Sequence, residues 1–166
     1  MKFSTRRKGK LPMRRLNHIL ALLPLAILAA CQPAAKPAGS PDAAATIAYG
    51  KLVLPAVKGN PGAAYFTLTN NSSTILRLSA VDIAGAGMAM FHETKEMDGH
   101  STMADMKAPE VQAGASLSFS PGGRHVMVDS LPPNLAPGNS VIMTITFDNG
   151  TKANAPLSVI AAGDVN

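Results

Sequence analysis

From Ile47 onward, apolar and polar residues alternate with a period of two. In AAYFTLTNNS (Ala63 to Ser72), Phe66 and Leu68 interleave with Tyr65, Thr67 and Thr69 before an Asn-Asn-Ser turn. TILRLSAVDI (Thr74 to Ile83) alternates next. VIMTITFDNG (Val141 to Gly150) sets Val141, Met143, Ile145 and Phe147 against Ile142, Thr144 and Thr146 and closes on Asn-Gly. APLSVIAA (Ala155 to Ala162) reads as a last strand. Period two sends successive side chains to opposite faces of a strand. Pro61-Gly62, Pro121-Gly122-Gly123, Pro132-Pro133 and Pro137-Gly138 break the runs. No stretch after residue 46 sustains an apolar period of 3.6 residues. The pattern predicts an all-β domain over 47–166, an antiparallel β-sandwich or barrel. About 120 residues suffice to bury a core without disulfides. With Cys31 the only cysteine, none can form within the chain.

The N-terminal segment is different. The formal charge is +5, yet residues 1–30 hold seven Lys or Arg and no Asp or Glu. The rest holds eight basic and ten acidic residues, a net −2, so no basic surface for nucleic acid is expected. ILALLPLAILAA (Ile19 to Ala30) is apolar for twelve residues, short of the roughly 20 needed to cross a bilayer. A basic head, a short apolar run and small residues at its end predict a signal peptide over 1–30. Met13 is an alternative start to Met1. LAAC (Leu28 to Cys31) resembles the bacterial lipobox, which implies lipidation of Cys31 and anchoring to a bacterial membrane from the periplasmic side. Gln32, rather than Asp, after the cysteine goes with the outer membrane. CQPAAKPAGSPDAAAT (31–46) is Pro- and Ala-rich with nothing large to bury, and reads as a tether of up to ~50 Å at about 3.1 Å per residue.

Candidate chemistry concentrates in FHETKEMDGHSTMADM (Phe91 to Met106). Five of the nine methionines fall between 88 and 106. Asp98-Gly99 signals a two-residue hairpin. If Met97 faces His100, paired residue numbers sum to 197 and Met103 faces Thr94. His92 then lies on the face of Met103, diagonal to it. A second pair, His125 and Met127 in GGRHVMVDSL, stands at i and i+2 and shares one strand face. Two imidazoles and two thioethers make a soft, neutral donor set that selects Cu(I) over oxygen-seeking cations. Zn²⁺ prefers thiolate, imidazole or carboxylate. Each methionine alone would read as core filler; the joint spacing points to metal.

His92-x10-Met103-x21-His125-x-Met127 resembles the metal motif of the periplasmic PCuAC-type copper chaperones, with no departure. AAYFTLTNNS, the HET at His92, GGRHVM and LAPGNSVIMTITFDNG resemble further blocks of that family, from Ile47 to Ile160. The resemblance implies a cupredoxin-like β-sandwich, Cu(I) bound by His92, Met103, His125 and Met127, and delivery toward the CuA centre of cytochrome c oxidase, either to subunit II or through another chaperone. Cu(II) is a further candidate cargo, and a monomer is expected. A membrane-anchored copper scavenger or buffer without a dedicated acceptor would use the same site. An enzyme is not expected: a blue-copper centre needs a Cys ligand, and Cys31 is taken by the anchor.

The motif leaves a surplus. Met90 shares a face with His92 in a regular strand. Met97, His100 and Met106 flank the turn. These four are expected as secondary copper contacts, with Met97 and His100 as an entry or docking point. Core packing is the expectation for Met88. Mass spectrometry of the mature protein should find acylated Cys31 as its first residue, and Cys31→Ser should release the protein from the membrane fraction. Unmodified Cys31 in a soluble product would refute the anchor.

Overall fold

The computed structural model describes residues 43–97 and 99–165. The expected signal peptide over 1–30, Cys31 and residues 32–42 of the expected tether lie outside them, as do Asp98 and Asn166. The strands are β1 (Ala45–Val53), β2 (Gly62–Asn70), β3 (Leu76–Ile83), β4 (Met88–Met97), β5 (His100–Asp105), β6 (Glu110–Val111), β7 (Ser116–Phe119), β8 (Arg124–Asp129), β9 (Ser140–Phe147) and β10 (Lys152–Ile160). A single 3-10 turn, Ala162–Asp164, follows. Ala45 and Thr46, read as the end of the tether, begin β1. Among the described residues, no helix is long and apolar enough to cross a membrane.

The strands run in the order β5-β4-β8-β2-β1-β10-β9-β3-β6, with β7 also pairing β2. β2 holds β8 through Gly62–Ala64 and β7 through Phe66–Thr69. All pairings are antiparallel except β1 with β10, which are parallel. The sheet folds over, so that β3 meets β4 without pairing to it.

Period-two alternation decides which side is enclosed. In β2, Gly62, Ala64, Phe66, Leu68 and Asn70 are buried while the residues between them are half-buried. In β10 the buried set is Ala153, Ala155, Leu157 and Val159, and in β9 Met143, Ile145 and Phe147. Phe66 stacks on Phe119 at 4.4 Å between ring centroids, and Phe91 leans on Phe119 at 5.8 Å. These rings back the sheet directly behind β4 and β8.

Two local features explain the irregular ladder. A bulge interrupts the β1–β2 register between Ala48 and Lys51, with Tyr49 at φ 57°. Gly50 passes so close to β10 that a Cβ there would lie 2.6 Å from Leu157 Cδ2 and 3.1 Å from the Pro156 carbonyl. Pro156 is tolerated inside β10 because the ladder with β1 begins only at Lys51↔Ser158, beyond its missing N–H.

Asn70 is a polar pin in the core, fully buried. Its Nδ2 lies 2.7 Å from the Thr74 carbonyl, 2.9 Å from that of Val111 and 3.2 Å from that of Gln112, while its Oδ1 accepts from Ser72 N at 2.9 Å and Ser72 Oγ at 2.7 Å. One side chain thus ties the end of β2 to β6 and the β2–β3 loop. Asn70→Ala should lower unfolding stability by about 2 kcal/mol, because it leaves buried carbonyls unpaired. Asn70→Asp should cost more, since its carboxylate would face those carbonyls. Urea denaturation of both variants would check this; equal stability of Asn70→Asp and the parent would contradict it.

Candidate metal centre

β4 lies between β5 and β8, and its register with each decides the site. Against β5 the pairs are His92↔Asp105, Thr94↔Met103 and Met97↔His100, the register read from the Asp98-Gly99 turn. Gly99 takes φ 76°, the left-handed backbone that such a turn demands. Against β8 the pairs are Met90↔Met127 and His92↔His125. Directly paired residues share a face. Phe91, Val126 and Val128 face the core. Met90, His92, Thr94, Met103, Asp105, His125 and Met127 therefore share the outer face.

That face would ordinarily be wet, yet His92 and His125 are each only 8% exposed. Their ring centroids stand 5.9 Å apart with planes at 54°. The His125 ring is fixed by the turn before it. Its Nδ1 is 3.1 Å from the Gly123 carbonyl. A carbonyl only accepts, so Nδ1 carries the proton and Nε2 keeps its lone pair. The same carbonyl accepts the Thr94 N–H at 3.2 Å, which locks the turn onto β4.

His92 has no such partner. Both of its ring nitrogens are buried without a hydrogen bond. Asp105 Oδ1 lies 3.1 Å from His92 Nε2, but out of line for a hydrogen bond. A buried, unpaired polar group costs about 1–3 kcal/mol. The fold sustains that cost beside the second imidazole, on the face that also carries Met103 and Met127.

Met103, His125 and Met127 line one depression of about 450 Å³ with Thr94, Tyr65 and Asn60. Met103 is 66% exposed and Met127 half-buried. Burial pushes the Tyr65 phenol above its ordinary pKa, so it stays neutral. Among the described residues no three His, Cys, Asp or Glu side chains gather as a metal site. Beside the two imidazoles the outer face offers the thioethers of Met103 and Met127, soft donors of the type that suits Cu(I).

The surplus residues separate by strand parity. Met90 lies on the face of the site, directly opposite Met127. Met97 and His100 oppose each other at the exposed hairpin end, on the face away from His92. Met106, expected beside the copper, instead packs against the core, and its N–H donates to the Phe91 carbonyl at 2.9 Å. Met88, expected in the core, is 55% exposed at the start of β4. Asp105 was not singled out, although the rule that pairs sum to 197 places it opposite His92. Tyr65 and the Gly123 carbonyl carry no sequence signal, because strand order brings them here.

Known proteins were compared with the chain. The sequence model of the family "Putative lipoprotein LpqE-like" matches residues 34–159. The "Putative lipoprotein Lxx21020" of Leifsonia xyli subsp. xyli is 29% identical over 98 residues, and the match spans 58% of the chain and 58% of that relative's length. The copper-bound PCuAC domain from PmoF2 superposes with a TM-score of 0.57 at 20% identity, over 71% of this chain and 93% of that one. The Cu(I) form of DR1885 from Deinococcus radiodurans superposes with a TM-score of 0.54 at 26% identity, over 72% and 78%. The fold is that of PCuAC domains, cupredoxin-like and all-β.

The orphaned imidazole has a measurable consequence. His92→Leu should make the metal-free protein more stable by about 1 kcal/mol, because an apolar group replaces a buried ring that makes no aligned hydrogen bond. His125→Leu, which discards a made hydrogen bond, should not. Urea melts of the two variants decide it; a His92→Leu protein less stable than His125→Leu would contradict this account.

Proposed function

The chain belongs to the LpqE-like lipoprotein family, and on that premise we propose that it is a Cu(I)-binding metallochaperone of the bacterial envelope. In this reading residues 1–30 are a signal peptide, Cys31 bears the acyl chains, and the segment from 31 to the start of β1 tethers the copper domain. One copper is carried by His92, Met103, His125 and Met127. The observation that carries the reading is the buried His92 imidazole, both nitrogens unpartnered, facing a His125 whose Nε2 lone pair is held free. The copper in a PmoF2 PCuAC domain and the Cu(I) in DR1885, proteins of the same fold, support it.

The arrangement suits a carrier. The two imidazoles are buried and hold the ion, while Met103 stands exposed on the far strand of the hairpin. An acceptor's thiolate or thioether can replace Met103 first and the imidazoles last, so the ion is never released to water. Thioethers persist in an oxidising compartment, where thiolates would be lost to disulfides. The tether lets the domain reach an acceptor while its anchor stays in the membrane. The acceptor we propose is the CuA centre of cytochrome c oxidase subunit II, reached directly or through another chaperone.

Cu(I) titration of the full chain should show one tightly bound equivalent, lost on combined His92→Ala and Met127→Ala substitution. Free copper at a hundred times Kd should stabilise the fold by about 2.7 kcal/mol. Failure to bind would end the proposal. Mixing the loaded chain with metal-free subunit II should transfer copper; retention of the ion on this chain would instead favour scavenging or buffering at the membrane.

A further inference from the structure

Asp105, His92 and His125 form a row across three adjacent strands, one residue each from β5, β4 and β8, all on the outer face. The two histidines of this row are not equivalent. His125 has its Nδ1–H spent on the Gly123 carbonyl, so only its Nε2 is free to donate to a metal. On the other side of the row, Asp105 Oδ1 lies 3.1 Å from Nε2 of His92. A histidine that binds a metal through one nitrogen nearly always gives the proton on the other to a carboxylate or carbonyl. For His92 the carboxylate within reach is that of Asp105, and it approaches Nε2, not Nδ1.

We propose that Asp105 is a positioning residue for His92: it takes the Nε2–H of the ring and directs Nδ1 to the copper. The two imidazoles then bind one ion through opposite nitrogens, His125 by Nε2 and His92 by Nδ1. The inference rests on the copper-binding reading for its second half only. The Asp105 side chain is 85% exposed and free to turn, and the His92 ring has no competing partner. Aligning the N–H with the carboxylate therefore breaks no existing hydrogen bond. The carboxylate also supplies a negative charge beside an otherwise neutral N₂S₂ set, offsetting the charge of Cu(I). Met103 and Asp105 both point to the outer face from β5, so hairpin closure delivers a ligand and the group that orients another.

Long-range proton–nitrogen correlation NMR of the full chain, labelled at histidine nitrogen, reads the tautomers directly. In the metal-free protein His92 should carry its proton on Nε2 and His125 on Nδ1. On Cu(I) loading, the bound nitrogens should be Nδ1 of His92 and Nε2 of His125. Asp105→Asn should weaken Cu(I) binding by about tenfold to a hundredfold and remove the preference for Nε2–H at His92. Asp105→Glu should restore most of both. Coordination of His92 through Nε2, or Asp105→Asn binding copper at parental affinity with the His92 tautomer unchanged, would overturn the proposal. The metal-free spectrum decides the role of Asp105 separately: a chain that bound no copper would refute the carrier reading, while the His92 tautomer would still test the Asp105 contact. Asp105 is exposed, so its substitution leaves the core packing intact, and circular dichroism of the variants verifies that.

Discussion

The registers of β4 against its two neighbours are the constraint on which the site depends. A slip of one residue on either side would send His92 to the core face and Phe91 to water. The hairpin end, where Met97 faces His100 beside Gly99, holds β4 to β5. On the other side, the Gly123 carbonyl accepts both the Thr94 N–H and the His125 Nδ1–H. That carbonyl couples backbone register to side-chain chemistry: one of its bonds ties the turn to β4 and the other chooses the tautomer of His125. Gly122, at φ 75°, lets the turn fold back tightly enough to present it.

Rigidity and chemistry occupy opposite faces of the same strands. Phe66, Phe119 and Phe91 pack behind β4, with Val126 and Val128 beside them. Apolar burial of this kind stabilises by about 25 cal/mol per Å² and holds the outer face in place. There the fold sustains an unpaired buried imidazole and an exposed thioether, neither of which benefits the metal-free state. Stability given up at a functional site and recovered in the adjoining core is a common division in proteins.

The donor set also bears on where such a protein works. Imidazole and thioether donors place no thiolate at risk of oxidation, and the chain's one cysteine stands at the expected anchor. Met103 stands exposed on β5 while His92 and His125 are buried, so the candidate donors differ in accessibility. The parity of the hairpin puts Met97 and His100 on the face opposite His92, whereas Met90, opposite Met127, shares the face of His92.

Alternation in β2, β9 and β10 and the hairpin turn are legible because each depends on near neighbours, and the spacing of His92, Met103, His125 and Met127 is read directly along the chain. The pairing of Thr94 with Met103 follows from the turn alone. Residues far apart in sequence are another matter. That His125 stands directly across from His92, and Met127 across from Met90, needed the β4–β8 register, set by hydrogen bonds between strands over twenty residues apart. The parallel β1–β10 pairing, the bulge at Tyr49 and the burial of Asn70 likewise come from long-range packing that no local pattern encodes. Sequence by itself determined which side chains are candidates for the chemistry and which of them share a strand face, since side-chain direction follows from strand period. Tertiary structure decided which nitrogen of His125 is free and left both nitrogens of His92 without a hydrogen bond, because that turns on a carbonyl from one turn and on which groups the neighbouring strands bring close.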